Sequence, residues 1–404
     1  MTKILVAGGG IAGTLTAIAL HETGHEPVLY EAYDRGADGV GAFLTLAVNG
    51  LDAIAPLGLK DLVSGLGFET PRMTMSLGNG RRLAEFPLGG PLPDGTTTVT
   101  VLRSDLYVAL RDEAARRGIP AEYGKRLIGA SQTADEVRAE FADGSYATGD
   151  LLIGADGLRS RVRQIIDPDA PSPRYVPLLN TGGFAHGLAL DDEPGVMNMV
   201  FGKRVFFCHV VHPDGSVWWF ANVPRKKEPT ESDLSGLVGE RWRAELVSLL
   251  KVDKTPAAAI VEVTPEIYAP WATYDYPSVP TWRNGRMVII GDAAHATSPS
   301  AGQGAGMAIE DAVTLARCLR DVPDHEQALA TYEGLRRERV EAVVAQGKHN
   351  GDGKVIGPVG RLIRDLYLTH AFKKPVVDDP NEFMWKHHID WDEKVTAASA
   401  AGLG

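Results

Sequence analysis

Residues 3–31 read KILVAGGGIAGTLTAIALHETGHEPVLYE, and this stretch decides the fold. After Lys3 the run over 3–7 is wholly apolar, as expected of a strand buried on both faces of a parallel sheet. It opens into Gly8-Gly9-Gly10-Ile11-Ala12-Gly13, which satisfies G-x-G-x-x-G. An apolar helix pattern follows over 14–23. A second strand pattern, 27–31, ends on Glu31, 18 residues beyond Gly13. Each part has a mechanical reason. Gly8 makes the tight turn, Gly10 lets a pyrophosphate approach the backbone, and Gly13 lets the helix pack closely. The amides of Ile11 and Ala12 then open the helix toward an anion. Glu31 can take the ribose hydroxyls of an adenosine. The frame predicts a dinucleotide-binding βαβ unit.

Two later stretches extend this reading. Residues 291–312, GDAAHATSPSAGQGAGMAIEDA, follow a buried-strand pattern over 286–290 and lead into a long helical pattern. The turn is built from small residues, so its amides stand open to an anionic or carbonyl-rich ligand. Asp292, at the strand end, can accept hydrogen bonds from ligand hydroxyls. Residues 150–163, DLLIGADGLRSRVR, form another apolar strand ending in Asp156-Gly157 and a basic helix start.

With these motifs in this order, residues 1–345 resemble the class A FAD-dependent aromatic monooxygenases. The likeness is to short members, para-hydroxybenzoate or salicylate hydroxylase-like, without a thioredoxin-like C-terminal domain. The resemblance implies an α/β fold: a discontinuous Rossmann-like FAD-binding domain (1–68, 98–170 and 283–345) and a mostly antiparallel β-sheet substrate domain (69–97 and 171–282). A helical or irregular extension (346–404) completes it. The implied reaction uses FAD, NADPH or NADH, and O2 to hydroxylate or epoxidise an aromatic or polycyclic molecule through a flavin C4a-hydroperoxide, as in natural-product tailoring.

The resemblance also assigns residues. Asp292 would bind the ribityl chain, and Asp156 with Gly157 would lie near the pyrophosphate. Pro299, Gly302, Gly304, Ala305 and Gly306 would face the flavin edge where charge develops on reduction. Arg103, opening a helix pattern over 102–118 with Ser104 as its N-cap, would reach the flavin from the interdomain side. Arg35 would neutralise phosphate or stack on adenine. Residues 41–51 would flank the isoalloxazine, with Val48 where the family often has proline. Strands over 205–211 and 217–223, joined by Asp214-Gly215, form a hairpin whose side chains alternate between faces. One face carries Arg204, Phe206, Trp218 and Phe220, which the resemblance favours as substrate contacts; the other carries Phe207, His209, Trp219 and Ala221. No side chain is singled out as catalytic, because the cofactor carries the hard step.

Composition fits this class. The chain has 404 residues, 44% hydrophobic and 23% charged, with a formal net charge of −11. That charge argues against nucleic-acid binding and gives no support to anionic membranes. Cys208 and Cys318 have no metal-ligand spacing, so no metal is expected, and with no signal peptide pattern or apolar run of membrane length the expected compartment is the cytoplasm. Oligomeric state stays open. Rival readings are an FAD-dependent dehydrogenase or reductase, a non-enzymatic flavin-binding module, and a halogenase, whose W-x-W-x-I-P hallmark is broken here by Ala221. His295 follows Gly-Asp-Ala-Ala and invites a catalytic role, but the family uses it structurally.

Overall fold

The structure, a computed structural model, describes residues 1–34, 42–372 and 381–397. Its first sheet runs, in spatial order, Arg283–Asn284, Met287–Ile289, Leu151–Gly154, Lys3–Ala7, Glu26–Tyr30 and Ala121–Glu122. All neighbours are parallel except the first pair. The central strand Lys3–Ala7 buries Ile4, Leu5 and Val6 completely, which explains its unbroken apolar run. The helix Ile11–Glu22 crosses over to Glu26–Tyr30 and packs against the later helix Gly304–Asp321. An antiparallel three-stranded sheet, Leu127–Gln132, Val137–Phe141 and Tyr146–Gly149, lies alongside.

A seven-stranded sheet forms the second layer. Its order is Trp271–Asp275, Arg174–Ala185, Val217–Pro224, Phe206–Val211, Val196–Phe201, Arg72–Leu77 and Arg82–Pro87. Only the pair Val196–Phe201 with Arg72–Leu77 is parallel. The expected hairpin is present, closed by Gly215, whose N–H donates to His212 O at 2.9 Å. Its Phe207–Trp219–Ala221 face packs on the helices Gly239–Leu250 and Ala257–Val263. Trp219 stacks on Phe207 at 5.4 Å, and its Nε1 donates to Thr264 Oγ1 at 2.8 Å. That use of one face leaves the Phe206–Trp218–Phe220 face to the first layer.

Several expectations change in detail. Residues 67–99 do not all join the second layer: Phe68–Glu69 and Phe43–Leu46 flank Val99–Leu102 in a separate small antiparallel sheet. Ser104 is not an N-cap. The helix Arg103–Arg116 starts one residue before it, on an extended Leu102, and Ser104 Oγ bonds Asp105. The pattern over 234–250 is two helices, Glu231–Ser235 and Gly239–Leu250, because Gly236 terminates the first. The long helix expected over 328–348 runs His325–Asp352. It begins at Asp324, whose side chain accepts from Gln327 N.

Candidate active site

The glycine turn has the geometry that its spacing requires. Gly8 sits at φ +108, and a Cβ there would meet Ala155 O at 2.4 Å. At Gly13 a Cβ would lie 1.9 Å from Gly8 O, so only glycine lets the helix close on the turn. Gly10 differs from both: its Cβ would enter open space, with nothing within 4 Å. Gly10 also caps the helix Ile11–Glu22 without a side chain. The first-turn amides of Ile11, Ala12 and Gly13 therefore keep their donors for an anion. Glu31 accepts from Gly9 N at 2.7 Å and Tyr33 N at 3.0 Å, which fixes its carboxylate beside the turn. Arg35 lies outside the described residues.

Asp156, expected near the pyrophosphate, has its carboxylate engaged within the chain. Its carboxylate accepts from Ser160 Oγ at 2.5 Å, Arg161 N at 2.7 Å and Val162 N at 3.1 Å. Burial pushes its carboxyl up, against the pull of these bonds. The side chain thus secures the start of the helix Arg161–Ile166, and only the Ala155–Asp156 backbone lies against Gly8. Arg163, the last residue of that motif, is buried and donates to Ala293 O and Leu158 O, each at 2.8 Å, and to the Tyr276 hydroxyl. It ties the second motif to the third.

The third motif supplies the cleft floor. Asp292 is exposed there although protein surrounds it, and that crowding pushes its carboxyl above the ordinary range, with His295 and Arg103 pulling the other way. Among the described residues no side-chain hydrogen bond engages it, so its lone pairs face the cleft. Beyond it, Pro299–Ala301 is a single helical turn and Gly302 follows in the left-handed region. Pro299 and Gly302 are exposed, and Gly304 and Ala305 half-buried, at the start of the helix Gly304–Asp321. At Gly306 a Cβ would lie 2.9 Å from Gln303 Oε1 and 3.2 Å from Asn49 Nδ2, so glycine makes room there for helix packing.

A buried ionic network, not singled out in the sequence, holds this floor. Asp311 accepts from Gly291 N at 2.8 Å and Arg336 Nε at 2.8 Å, with His295 Nε2 at 2.5 Å. Glu310 takes Arg336 Nη1 at 2.7 Å, Arg339 Nη2 at 2.7 Å and Asn49 Nδ2 at 2.8 Å. Burial alone would raise both carboxyls, but Arg336 with Arg339 holds Glu310 at about 2, and His295 with Arg336 holds Asp311 at about 2. His295 is therefore a structural partner of Asp311, closed off from the cleft. The consecutive acids of the quoted 291–312 stretch, one turn past its glycines, were the available signal.

The other wall comes from residues 42–51, Arg103 and the hairpin. Val48 occupies the first position of the helix Val48–Ile54, a place that favours proline. Phe43 lies 5.7 Å from Trp218 and 6.1 Å from Phe220, ring to ring. Arg103 N donates to Ala42 O at 3.2 Å, which places Arg103 at the same seam. Phe206 and Trp218 are buried and Phe220 half-buried in one aromatic cluster. Arg204 stands apart from it, exposed in the turn before the strand Phe206–Val211, at a crevice that it shares with Lys354, Arg361 and Arg364. No group of acidic, histidine or cysteine side chains among the described residues is arranged to hold a metal.

Uncapped amides, an open glycine cradle and an unengaged carboxylate together fit a flavin dinucleotide. The sequence matches the FAD binding domain family over residues 1–347. It is 30% identical over 394 residues to a FAD-dependent urate hydroxylase of Klebsiella pneumoniae, covering 94% of this chain and 96% of that protein. A 3-amino-4-hydroxybenzoate 2-monooxygenase of Streptomyces cremeus is 31% identical over 353 residues, 84% of each chain. Among solved structures, Klebsiella pneumoniae HpxO complexed with FAD and uric acid matches with a TM-score of 0.81 at 27% identity, covering 92% of this chain and 93% of that one. The chain therefore belongs to the class A FAD-dependent aromatic monooxygenases.

Proposed function

We propose that this enzyme uses its FAD, a nicotinamide reductant and O2 to hydroxylate an electron-rich aromatic or polycyclic small molecule in the cleft between its two main sheets. Bound FAD supplies hydride acceptance and oxygen activation; the chain supplies position and shelter. In this reading the turn at Gly8–Gly13 and the amides of Ile11 and Ala12 hold the pyrophosphate, and Glu31 takes the ribose. Asp292 takes the ribityl hydroxyls. The backbone from Pro299 to Ala305 lies along the flavin edge, where its donors favour negative charge. Arg103 reaches the flavin from the opposite seam. Phe206, Trp218 and Phe220 exclude water and give the ring an apolar wall, while Arg204 guides the substrate at the mouth.

The observation that carries this reading is the unengaged Asp292 carboxylate beside open helix-start amides, a floor that the rest of the protein holds but does not use. The similar proteins include enzymes named for urate and for 3-amino-4-hydroxybenzoate, so small hydroxylated or anionic rings are the first substrates to try. Cys208 and Cys318 are buried and unpaired, which suits a reducing cytoplasm. The test is anaerobic reduction of the bound FAD by NADH and by NADPH, with and without a panel of phenols, urate and polycyclic aromatics. Reduction accelerated by one class supports the reading and identifies the donor. Reduction that no aromatic accelerates would defeat it.

A further inference from the structure

Among the described residues, Lys354 is a cation without an anion. It follows the helix His325–Asp352, beyond the matched family region, and is mostly buried. Its Nζ donates to Asn222 Oδ1 at 2.8 Å and to Ser300 Oγ at 3.0 Å, and stands 3.8 Å from the Phe206 ring centroid. Both acceptors are neutral. Among the described residues no carboxylate pairs with it, although buried lysines ordinarily require a partner. Burial pulls its ammonium down to about 7, so the charge is poorly compensated by the protein itself.

The surroundings are fixed. Asn222 Nδ2 donates to Asn180 Oδ1 at 2.7 Å, and Asn180 Nδ2 donates to Thr273 Oγ1 at 2.7 Å. This ladder across the second sheet commits the Asn222 carbonyl oxygen to Lys354. On the other side, Asn350 Nδ2 donates to Ser300 O at 3.2 Å, which holds the Pro299–Ala301 turn in place. The ammonium is thus anchored where the substrate sheet, the turn beside Asp292 and the last long helix meet, one side chain from Phe206.

We infer that Lys354 is a specificity-determining residue whose missing counter-ion is an acidic group of the aromatic substrate, a carboxylate or ring oxyanion docked against Phe206. The inference rests on the proposed placement of the substrate at Phe206, Trp218 and Phe220. A neutral ring leaves the ammonium uncompensated, whereas an anionic ring completes it with a charge-assisted hydrogen bond.

The test measures binding, not turnover. FAD-loaded full-length enzyme is titrated with salicylate against salicylamide and with 3-amino-4-hydroxybenzoate against its amide, read by perturbation of the bound-FAD spectrum. Wild type is expected to prefer at least one acid by roughly 10- to 100-fold. Lys354→Met should bring that ratio near one by weakening the acid alone, and Lys354→Arg should retain most of it. Lys354→Gln keeps a donor without charge and must behave like Lys354→Met. FAD content reports whether each variant folds.

Equal binding of acid and amide by wild type, including no binding of either, overturns the inference. So does a preserved acid preference in Lys354→Met. A shifted flavin midpoint potential with the acid preference intact would give the cation to the flavin and overturn it equally. None of these results touches the hydroxylase reading, which is decided separately by whether any aromatic, acidic or neutral, accelerates flavin reduction.

Discussion

Replacing Arg336 by methionine removes the centre of the buried ionic network and leaves its volume largely filled. The arginine donates to Asp311 at 2.8 Å, Glu310 at 2.7 Å and Met307 O at 3.2 Å. Glu310 keeps Arg339, which binds it through two bonds of 2.8 and 2.7 Å. Asp311 keeps His295 and the Gly291 amide but no arginine among the described residues. The loss therefore falls on Asp311, a fully buried carboxylate deprived of its arginine, at a cost of about 3–5 kcal/mol. For a chain of 404 residues that corresponds to a fall of roughly 4–6 °C in thermal midpoint. Because Asp311 also holds Gly291 N, the residue before Asp292, FAD should be released at lower temperature than in wild type. The assay is paired melting by circular dichroism and by flavin fluorescence. Adding Asp311→Asn should cost less in the Arg336→Met background than alone, since there it removes a buried carboxylate already left without its arginine. A variant melting within about 2 °C of wild type with full FAD would refute the idea that this network supports the cleft floor.

Gly10→Val is expected to melt like wild-type apoprotein, because its Cβ meets nothing, yet to purify without FAD; absorbance near the flavin band checks it. Arg204→Ala should leave stability and FAD content unchanged, since Arg204 is exposed, while weakening substrate binding about tenfold in spectral titration. Unchanged affinity removes it from the site. Acid should act through Glu310 and Asp311. Their folded values near 2 lie below the ordinary 4.5 and 3.8, so their stabilisation is complete above that ordinary range and is lost as pH falls toward 2. Melts from pH 7 to 3 should show a steep decline below about pH 4.5 in wild type and a shallower one in Arg336→Met.

What the sequence reveals of this protein is what depends on neighbours in the chain. Gly8, Gly13 and Glu31 act within one strand–turn–helix–strand unit, so spacing alone exposes their geometry. The hairpin declares itself by alternation and by Gly215, and its two faces separate as their composition implies. Asp156 is less legible because a carboxylate before a helix can face a ligand or cap that helix, and the pattern is the same for both. Gly306 reads two ways as well, since a small residue can make room for a cofactor or for another helix. The pairing of Glu310 and Asp311 with Arg336 and Arg339 joins two helices whose facing can be seen only once they pack. Lys354 is less legible still, because its partners Asn222 and Ser300 come from distant parts of the chain.

The amide ladder has a consequence beyond its own strands. Each asparagine in it could be turned end for end without change of shape, so the direction in which the row points is set at its ends. One end is the Lys354 ammonium, which can only donate and so demands the Asn222 oxygen; the other is Thr273, in the edge strand Trp271–Asp275, whose hydroxyl receives the Asn180 amide. Were Thr273 a valine, the Asn180 amide would lose its acceptor while the Asn222 oxygen stayed turned toward Lys354. The polarity of the row is thereby written by one ammonium and carried outward to the sheet's margin.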